Sequence, residues 1–493
     1  MTVRLIARFT SALVAIVALF MFIPLLISIV EGEEGTAAAF IIPIAVSAII
    51  ASIVVPFTKG NTDELTPRSS YLMVTVGWLS AALVGAVPFL ISGAIPSFVN
   101  AFFESISGFT TTGASILDDI EALPRSILFW RSMTHWLGGM GIIVLMVAIF
   151  PLLGLGGRAL VMAEAPWPTV DKITPRITET AKILWILYLS LTVAQTVLLM
   201  AGGLDWFDAL THTFGTVATG GFSPYTASIG HFDSAYVEWV VLIFMLLAAG
   251  NFLLYYRIVT ARALEVRSDS ELRAYIGIVV LGTIVLTAIL TIAIPEFTGA
   301  EFAWLDWPLL TRIRKSGFHI ATILTTTGYV AGDYELWPYG GQAILFIMMF
   351  IGGSAGSTGG GVKIARIVVL AKQAVHEARY LLYPRGVFTL RFNRQPVRKN
   401  VVYAIVSFVV VYIIVALAGT VMSMIAGADL TTGISSSLAT LGNIGPGFGE
   451  VGPTGNYEAF PDAAKLFFSF LMLAGRLEIY TVMILFTPAF WRN

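Results

Sequence analysis

The sequence predicts an all-α polytopic membrane protein with four pseudo-repeats, each reading span, pore helix, filter loop, span, arranged around one pore. An N-terminal two-helix hairpin precedes them. Three observations predict this. Apolar runs of about 20 residues recur along a 493-residue chain that is 57% hydrophobic and only 12% charged. Four Gly/Thr turns lie between alternate pairs of those runs at near-equal spacing. Basic and acidic residues segregate to alternate connecting segments.

The first two runs, about 8–30 and 37–57, form the hairpin. The first lacks a small-residue cleavage site and is followed at once by the second, so it reads as a span rather than a removable signal peptide. The others fall at about 71–93, 132–153, 182–201, 237–256, 275–295, 341–380 (interrupted), 400–426 and 464–490, ten in all. Between alternate pairs lie SFVNAFFESISGFTTTGAS, WFDALTHTFGTVATGGFS, RKSGFHIATILTTTGYV and LTTGISSSLATLGNIGPGFG. Each is too short or too polar to cross a membrane and reads as a half-helix followed by a Gly/Thr turn. Gly113, Gly221, Gly328 and Gly445 occupy the same place in each, 108, 107 and 117 residues apart. The organisation expected is a hairpin in 1–68 and repeats in 69–157, 158–260, 261–385 and 386–493.

Non-helical backbone survives at membrane depth only when buried in protein or lining water, because each unsatisfied N–H or C=O costs several kcal/mol in hydrocarbon. Four such turns around one axis make a pore. A cation entering it surrenders hydration, and inward carbonyls replace the lost oxygens without a trapping anion. Glycine permits the positive φ that this needs. The candidate filter residues are Thr111, Thr112 and Gly113; Gly220 and Gly221; Thr326, Thr327 and Gly328; and Asn443, Ile444 and Gly445. The half-helices aim their partially negative C-terminal ends at the cavity.

Orientation follows from charge. The segments 58–70, 154–182, 257–275 and 363–400 hold 19 Lys/Arg against 9 Asp/Glu, whereas the turn-bearing segments 94–129, 201–236, 296–341 and 427–463 hold 4 against 16. The first set, and with it both termini, is expected in the cytoplasm. The second, including Asp118, Asp119, Asp205, Asp208, Asp429 and Glu450, then surrounds the outer mouth and concentrates cations.

The four turns, GGSAGSTGGGVK (352–363) and GRLEIYTVMILFTPAFW (475–491) resemble the membrane subunit of the Trk potassium-uptake family. That family lies within the group that includes Ktr and plant high-affinity potassium transporters. The resemblance covers essentially the whole chain, and the N-terminal hairpin is more like Trk than Ktr. It implies K+ as the transported ligand, a bacterial inner-membrane location, a homodimer and a cytoplasmic nucleotide-binding regulatory subunit. The fourth turn departs from the pattern: Asn443 and Ile444 replace paired threonines and Pro446 follows the glycine, so one well-formed central ion site is expected.

In the interrupted run, helix from Gln342 to Ile351 covers about 15 Å, half the hydrocarbon thickness, before the glycine-rich stretch begins. A polar loop carrying Gly352, Gly353, Gly356, Gly359, Gly360 and Gly361 thus lands mid-membrane. It lacks the GxxxxGK[ST] order of a phosphate loop; the resemblance implies an intramembrane gate. Arg476 is the basic residue placed deep in the last run, where an arginine is costly, and it is assigned to the gate with the loop. Glu478 lies about 200° away around a helix and cannot pair with it there. His135, His212 and His319 read as hydrogen-bonded residues of the pore structure rather than metal ligands.

An enzyme would need a nucleophile, acid/base pair or metal cluster facing a cavity; the chain has no cysteine, HExxH or GxSxG, so none is expected, nor an organic cofactor or nucleic-acid partner. The basic segment 380–400 (Arg385, Arg391, Arg394, Arg398, Lys399) suits either anionic lipid or a docking partner. The competing reading within transport is a symporter coupling K+ to sodium or protons, which would more usually bury a carboxylate relay; Glu478 is the only deep acid expected in the repeat spans.

Overall fold

The computed structural model describes residues 3–58, 66–139, 177–259, 266–292, 303–386, 388–393 and 395–492. The latter part of the run 132–153, the repeat boundaries at 157/158 and 260/261, and Arg394 lie outside the described residues.

The hairpin consists of α1 (Val3–Phe20) and α2 (Phe22–Val30), nearly one helix, and α3 (Thr36–Phe57). On α3, Ile41, Ile42, Val46, Ile49, Ile50 and Ile53 are 43–58% exposed. Such an aliphatic face on a helix long enough to span is a lipid face. α1 turns Phe9, Leu13 and Val17 inward and packs against α3 and α4 (Pro67–Ile91).

Each repeat sets a short helix between two spans. The first has α4, α5 (Phe98–Phe109) and α6 (Arg125–Gly139). The second has α7 (Ile177–Ala201), α8 (Trp206–Val217), α9 (Ala235–Ala248) and α10 (Phe252–Val259). The third has α11 (Ser270–Ile292), α12 (Leu309–Leu324), α13 (Tyr339–Met348) and α14 (Ile364–Leu382), and the fourth α15 (Lys399–Ile425), α16 (Leu430–Leu441), α17 (Asp462–Arg476) and α18 (Tyr480–Met483). α5, α8 and α16 have 12 residues each, about 18 Å of helix, enough to reach mid-membrane and stop. Their starts are set by Ser97, Asp205 and Asp429, whose side chains accept from backbone N–H groups of the first turn. Small residues let them wedge among the spans: Ser435, Ser436, Ser437, Ala439 and Thr440 of α16 are all fully buried.

The repeats interlock in order, since α8 packs on α6, α12 on α9, and α5 on α17. Last meets first, so the four close into a ring. Two runs expected as spans are sharply broken within their length. α9 and the following helix differ in direction by 94°, with Gly250 at the break; α17 and the helical segment after it differ by 114°. At the second break Glu478 and Ile479 have φ of 55° and 56°, a conformation that no helix continues through and that a β-branched residue rarely adopts. Arg476, expected deep within a span, therefore terminates α17. Six described helices are long and apolar enough to cross a membrane, or eight if each bent pair counts as one span, against the ten runs expected. A two-residue antiparallel ladder (Arg391–Phe392 with Gln395–Pro396) between α14 and α15 had no signal in the sequence.

Candidate functional site

The backbone repeats itself at the ends of the four short helices. Thr111, Thr219, Thr326 and Asn443 have φ of 53–57°, and Gly113, Gly221, Gly328 and Gly445, two residues on, have φ of 78–97°. In each turn the residue before the glycine (Thr112, Gly220, Thr327, Ile444) donates its N–H to the carbonyl five residues back at 2.8–2.9 Å. The residue before that donates to the carbonyl three back at 2.9–3.3 Å. Three threonines at positive φ are strained, at about 1–3 kcal/mol apiece, and such strain concentrates at functional sites.

The turns form one ring. A Cβ on Gly113 would fall on the carbonyl oxygen of Gly220, one on Gly221 on that of Thr327, one on Gly328 on that of Ile444, and one on Gly445 on that of Thr112, each within 3.0 Å. Four carbonyl oxygens, one per repeat, thus each lodge against the neighbouring glycine in cyclic order. Among the described residues no hydrogen bond reaches the carbonyl oxygens of Thr111, Thr112, Thr219, Gly220, Thr326, Thr327, Asn443 or Ile444, all of them buried. Eight buried carbonyls without donors break the usual rule that buried backbone oxygens are paired. Their chemistry fits a cation. A cavity of ≈ 100 Å³, lined by all four glycines with Ser115, Asp118, Tyr225 and Tyr457, opens above them.

Beneath the ring lies the glycine-rich loop, pinned rather than loose. Gly360 N–H donates to Thr326 Oγ1 at 2.7 Å, and Thr219 Oγ1 donates to Thr358 Oγ1 at 3.3 Å. The break in α9–α10 leaves helix-end carbonyls to be satisfied, and the loop takes them. Ser354 N–H donates to Ala249 O at 2.9 Å and Thr358 Oγ1 to Ala248 O at 3.0 Å. Lys363 donates to Gly359 O, and Glu271 accepts from Ala355 N–H at 2.7 Å.

Arg476 fastens the loop from the fourth repeat. Its Nη1 donates to Thr358 O at 2.7 Å and Thr111 Oγ1 at 3.1 Å, and Nη2 to Gly138 O and Gly139 O at 2.6 and 2.9 Å. One guanidinium thus joins the first turn, the end of α6 and the loop. It sits where the partial negative charge of a helix C-terminus is greatest.

The TrkH family, described as cation transport proteins, matches residues 37–493. The chain belongs to the TrkH family. Among its relatives, the "Trk system potassium uptake protein TrkH" of Halomonas elongata is 39% identical over 498 residues, 100% of each chain. The protein of that name from Escherichia coli strain K12 is 38% identical over 99% of each. A crystal structure titled "Potassium Transporter TrkH from Vibrio parahaemolyticus" superposes with a TM-score of 0.84 at 35% identity, covering 100% of both chains.

Within this TrkH-family framework the fourth turn's departure has a structural account. Asn443 tolerates left-handed φ better than a β-branched residue. Its Nδ2 bridges to Thr112 Oγ1 and Met472 O, both at 2.9 Å, tying the fourth turn to the first. The histidines play structural parts. His212 bonds Asp208 O and Ser223 Oγ, His319 bonds Lys315 O and Gly332 O, and His135 bonds Gly108 O while stacking on Phe222. Among the described residues no three His, Asp or Glu side chains gather as a metal site.

One expectation about acids needs correction. Glu478 is not the only deep carboxylate: Glu104, Glu238 and Glu271 are buried, and Glu478 itself is only part-buried, its side chain 14% exposed. All four are engaged, Glu478 with Arg366, Glu104 with Arg131 at 2.6 Å, Glu238 with Arg314 and Lys315 at 2.8 and 2.7 Å, and Glu271 with Ala355 N–H. At the outer mouth, Asp205 caps α8 and pairs with Arg125, Asp208 accepts from Tyr225 Oη, and Asp429 caps α16. The hydroxyl and N–H of Thr432 hold the Asp429 carboxyl below the usual range, so it stays charged. Glu335 accepts from Gly449 N–H across the third and fourth repeats, and burial pushes its carboxyl up. The ion pairs were missed because their partners lie 27 to 112 residues apart in sequence, whereas the caps are local, three residues apart.

Proposed function

We propose that this chain takes up potassium across the cell membrane through a selectivity filter formed by the four turns, with the 352–361 loop and Arg476 as the gate. The observation that carries the reading is the ring of buried carbonyls without donors, contributed by all four repeats in cyclic order. Oxygens held in this way replace a potassium ion's hydration without fixing it by charge. The printed names of its full-length relatives supply the ion. The repeats are divided as 69–157, 158–260, 261–385 and 386–493, with both termini and the basic segments cytoplasmic. Conduction driven by membrane potential fits better than symport, because every deep carboxylate described is held by a cation or a backbone N–H. The test is flux by purified protein in liposomes, with K+, Na+ and Li+ compared at fixed potential. K+ flux that follows the potential alone is expected; flux requiring a sodium or proton gradient replaces this reading with symport.

The protein works as a homodimer with a cytoplasmic nucleotide-binding subunit in this reading. The exposed Arg385 and Arg391, together with Arg394, are the proposed dock for that subunit. Neutralising all three is expected to abolish co-purification of the subunit at low salt, where such contacts are least screened. Intact co-purification would place the dock elsewhere.

A further inference from the structure

The two filter turns of repeats 1 and 2 are joined by a buried ion pair. Arg131, on α6, is 2% exposed, and Glu104, on α5, is 0% exposed. Arg131 Nε donates to Glu104 Oε1 at 2.6 Å. The contacts at either end of the pair matter more than the pair itself. Glu104 accepts from Ser115 Oγ and Ile116 N–H, both at 3.0 Å, two and three residues beyond Gly113. Arg131 Nη1 donates to Ser223 O at 2.9 Å, and its guanidinium lies 3.6 Å from the ring centre of Phe222, two and one residues beyond Gly221. The pair thus measures the gap between two adjacent filter turns. Arg131 also borders the cavity above the four glycines.

We infer that Arg131 and Glu104 are positioning residues for ion selectivity, setting the spacing of the first and second filter turns and cancelling a cation beside the outer ion path. This rests on the filter reading above. In a buried site each partner makes the other tolerable, and removal of either leaves an uncompensated charge that forces the surrounding backbone to shift. The two ends carry different consequences. Without Glu104, Arg131 repels entering cations and is free to tilt from Ser223. Without Arg131, the carboxylate still holds the first turn, but the second loses its anchor.

The test is the K+/Na+ permeability ratio of purified variants in liposomes, per molecule reconstituted. Glu104→Gln and Arg131→Met are each expected to lower the ratio about tenfold, the effect of a shift of about 1.4 kcal/mol in relative site energy. The double variant should lose no more than the worse single, because both act through one link. Arg131→Lys keeps the charge but cannot reach Glu104 and Ser223 O together, so it too should lower the ratio; it carries the test should the Met variant fail to fold. Gly113→Ser and Gly328→Ser are run alongside. A wild-type ratio in Glu104→Gln and Arg131→Lys, with both glycine variants impaired, overturns this inference alone. A wild-type ratio in the glycine variants as well overturns the filter reading beneath it.

Discussion

Arg476→Ala is expected to raise basal K+ flux about a hundredfold, without any partner or nucleotide. A guanidinium taken at about 6 Å from an ion, with an effective dielectric of about 20, raises that ion's energy by roughly 3 kcal/mol. Each 1.4 kcal/mol or so is a factor of ten. The same group donates to Thr358 O in the loop, Thr111 Oγ1 in the first turn, and Gly138 O and Gly139 O at the end of α6. Removing it therefore takes away both the repulsion and the fastening. Arg476→Lys separates them: a lysine keeps the charge but not the planar fork that reaches all four oxygens. Flux near wild type in the lysine variant assigns closure to charge, and flux near the alanine variant assigns it to the fastening. If Arg476→Ala matches wild type at equal reconstitution, the arginine is structural and the gate lies elsewhere.

The second large effect is on selectivity. Serine in place of Gly113, Gly221 or Gly328 is expected to lower the K+/Na+ permeability ratio tenfold or more. An L residue forced into left-handed φ costs about 1–2 kcal/mol, and the added Cβ would displace the carbonyl of Gly220, Thr327 or Ile444, the proposed ligands. Gly445→Ser should be milder, because the nearest atom to its Cβ, Thr112 O, is 2.6 Å away, the most distant of the four. Gly93 and Gly203 supply controls: both have positive φ, 75° and 97°, yet a Cβ at either meets nothing within 4 Å. Serine there should leave the ratio unchanged. Equal ratios in all three filter variants, at normal protein level, would remove the turns from the filter.

Much of this was legible because it is local. Apolar runs marked the spans, and Gly113, Gly221, Gly328 and Gly445 announced the repeat by spacing alone; all four prove to be left-handed. Arg476 and the glycine loop drew attention as costly or permissive residues at membrane depth. The rest depended on pairs that only folding brings together. Arg131 and Glu104 are 27 residues apart, and Arg366 and Glu478 are 112 apart. The left-handed threonines carried no signal, since threonine disfavours that conformation and adopts it here under the constraint of the surrounding ring. The break after Arg476 was hidden for the same reason: Glu478 and Ile479 are not residues that mark a turn. Three of the acids at the outer mouth, Asp205, Asp208 and Asp429, also make helix-start or side-chain bonds, which a count of charges does not reveal.

The most direct test of the four-turn ring is to locate the ion within it. Anomalous diffraction from crystals of the protein grown in Rb+ or Tl+ should show a peak on the central axis, among the carbonyl oxygens of Thr112, Gly220, Thr327 and Ile444. Replacement of that ion by Na+ should remove it. A strong Rb+ or Tl+ peak at another depth, with none among these four oxygens, would contradict the assignment.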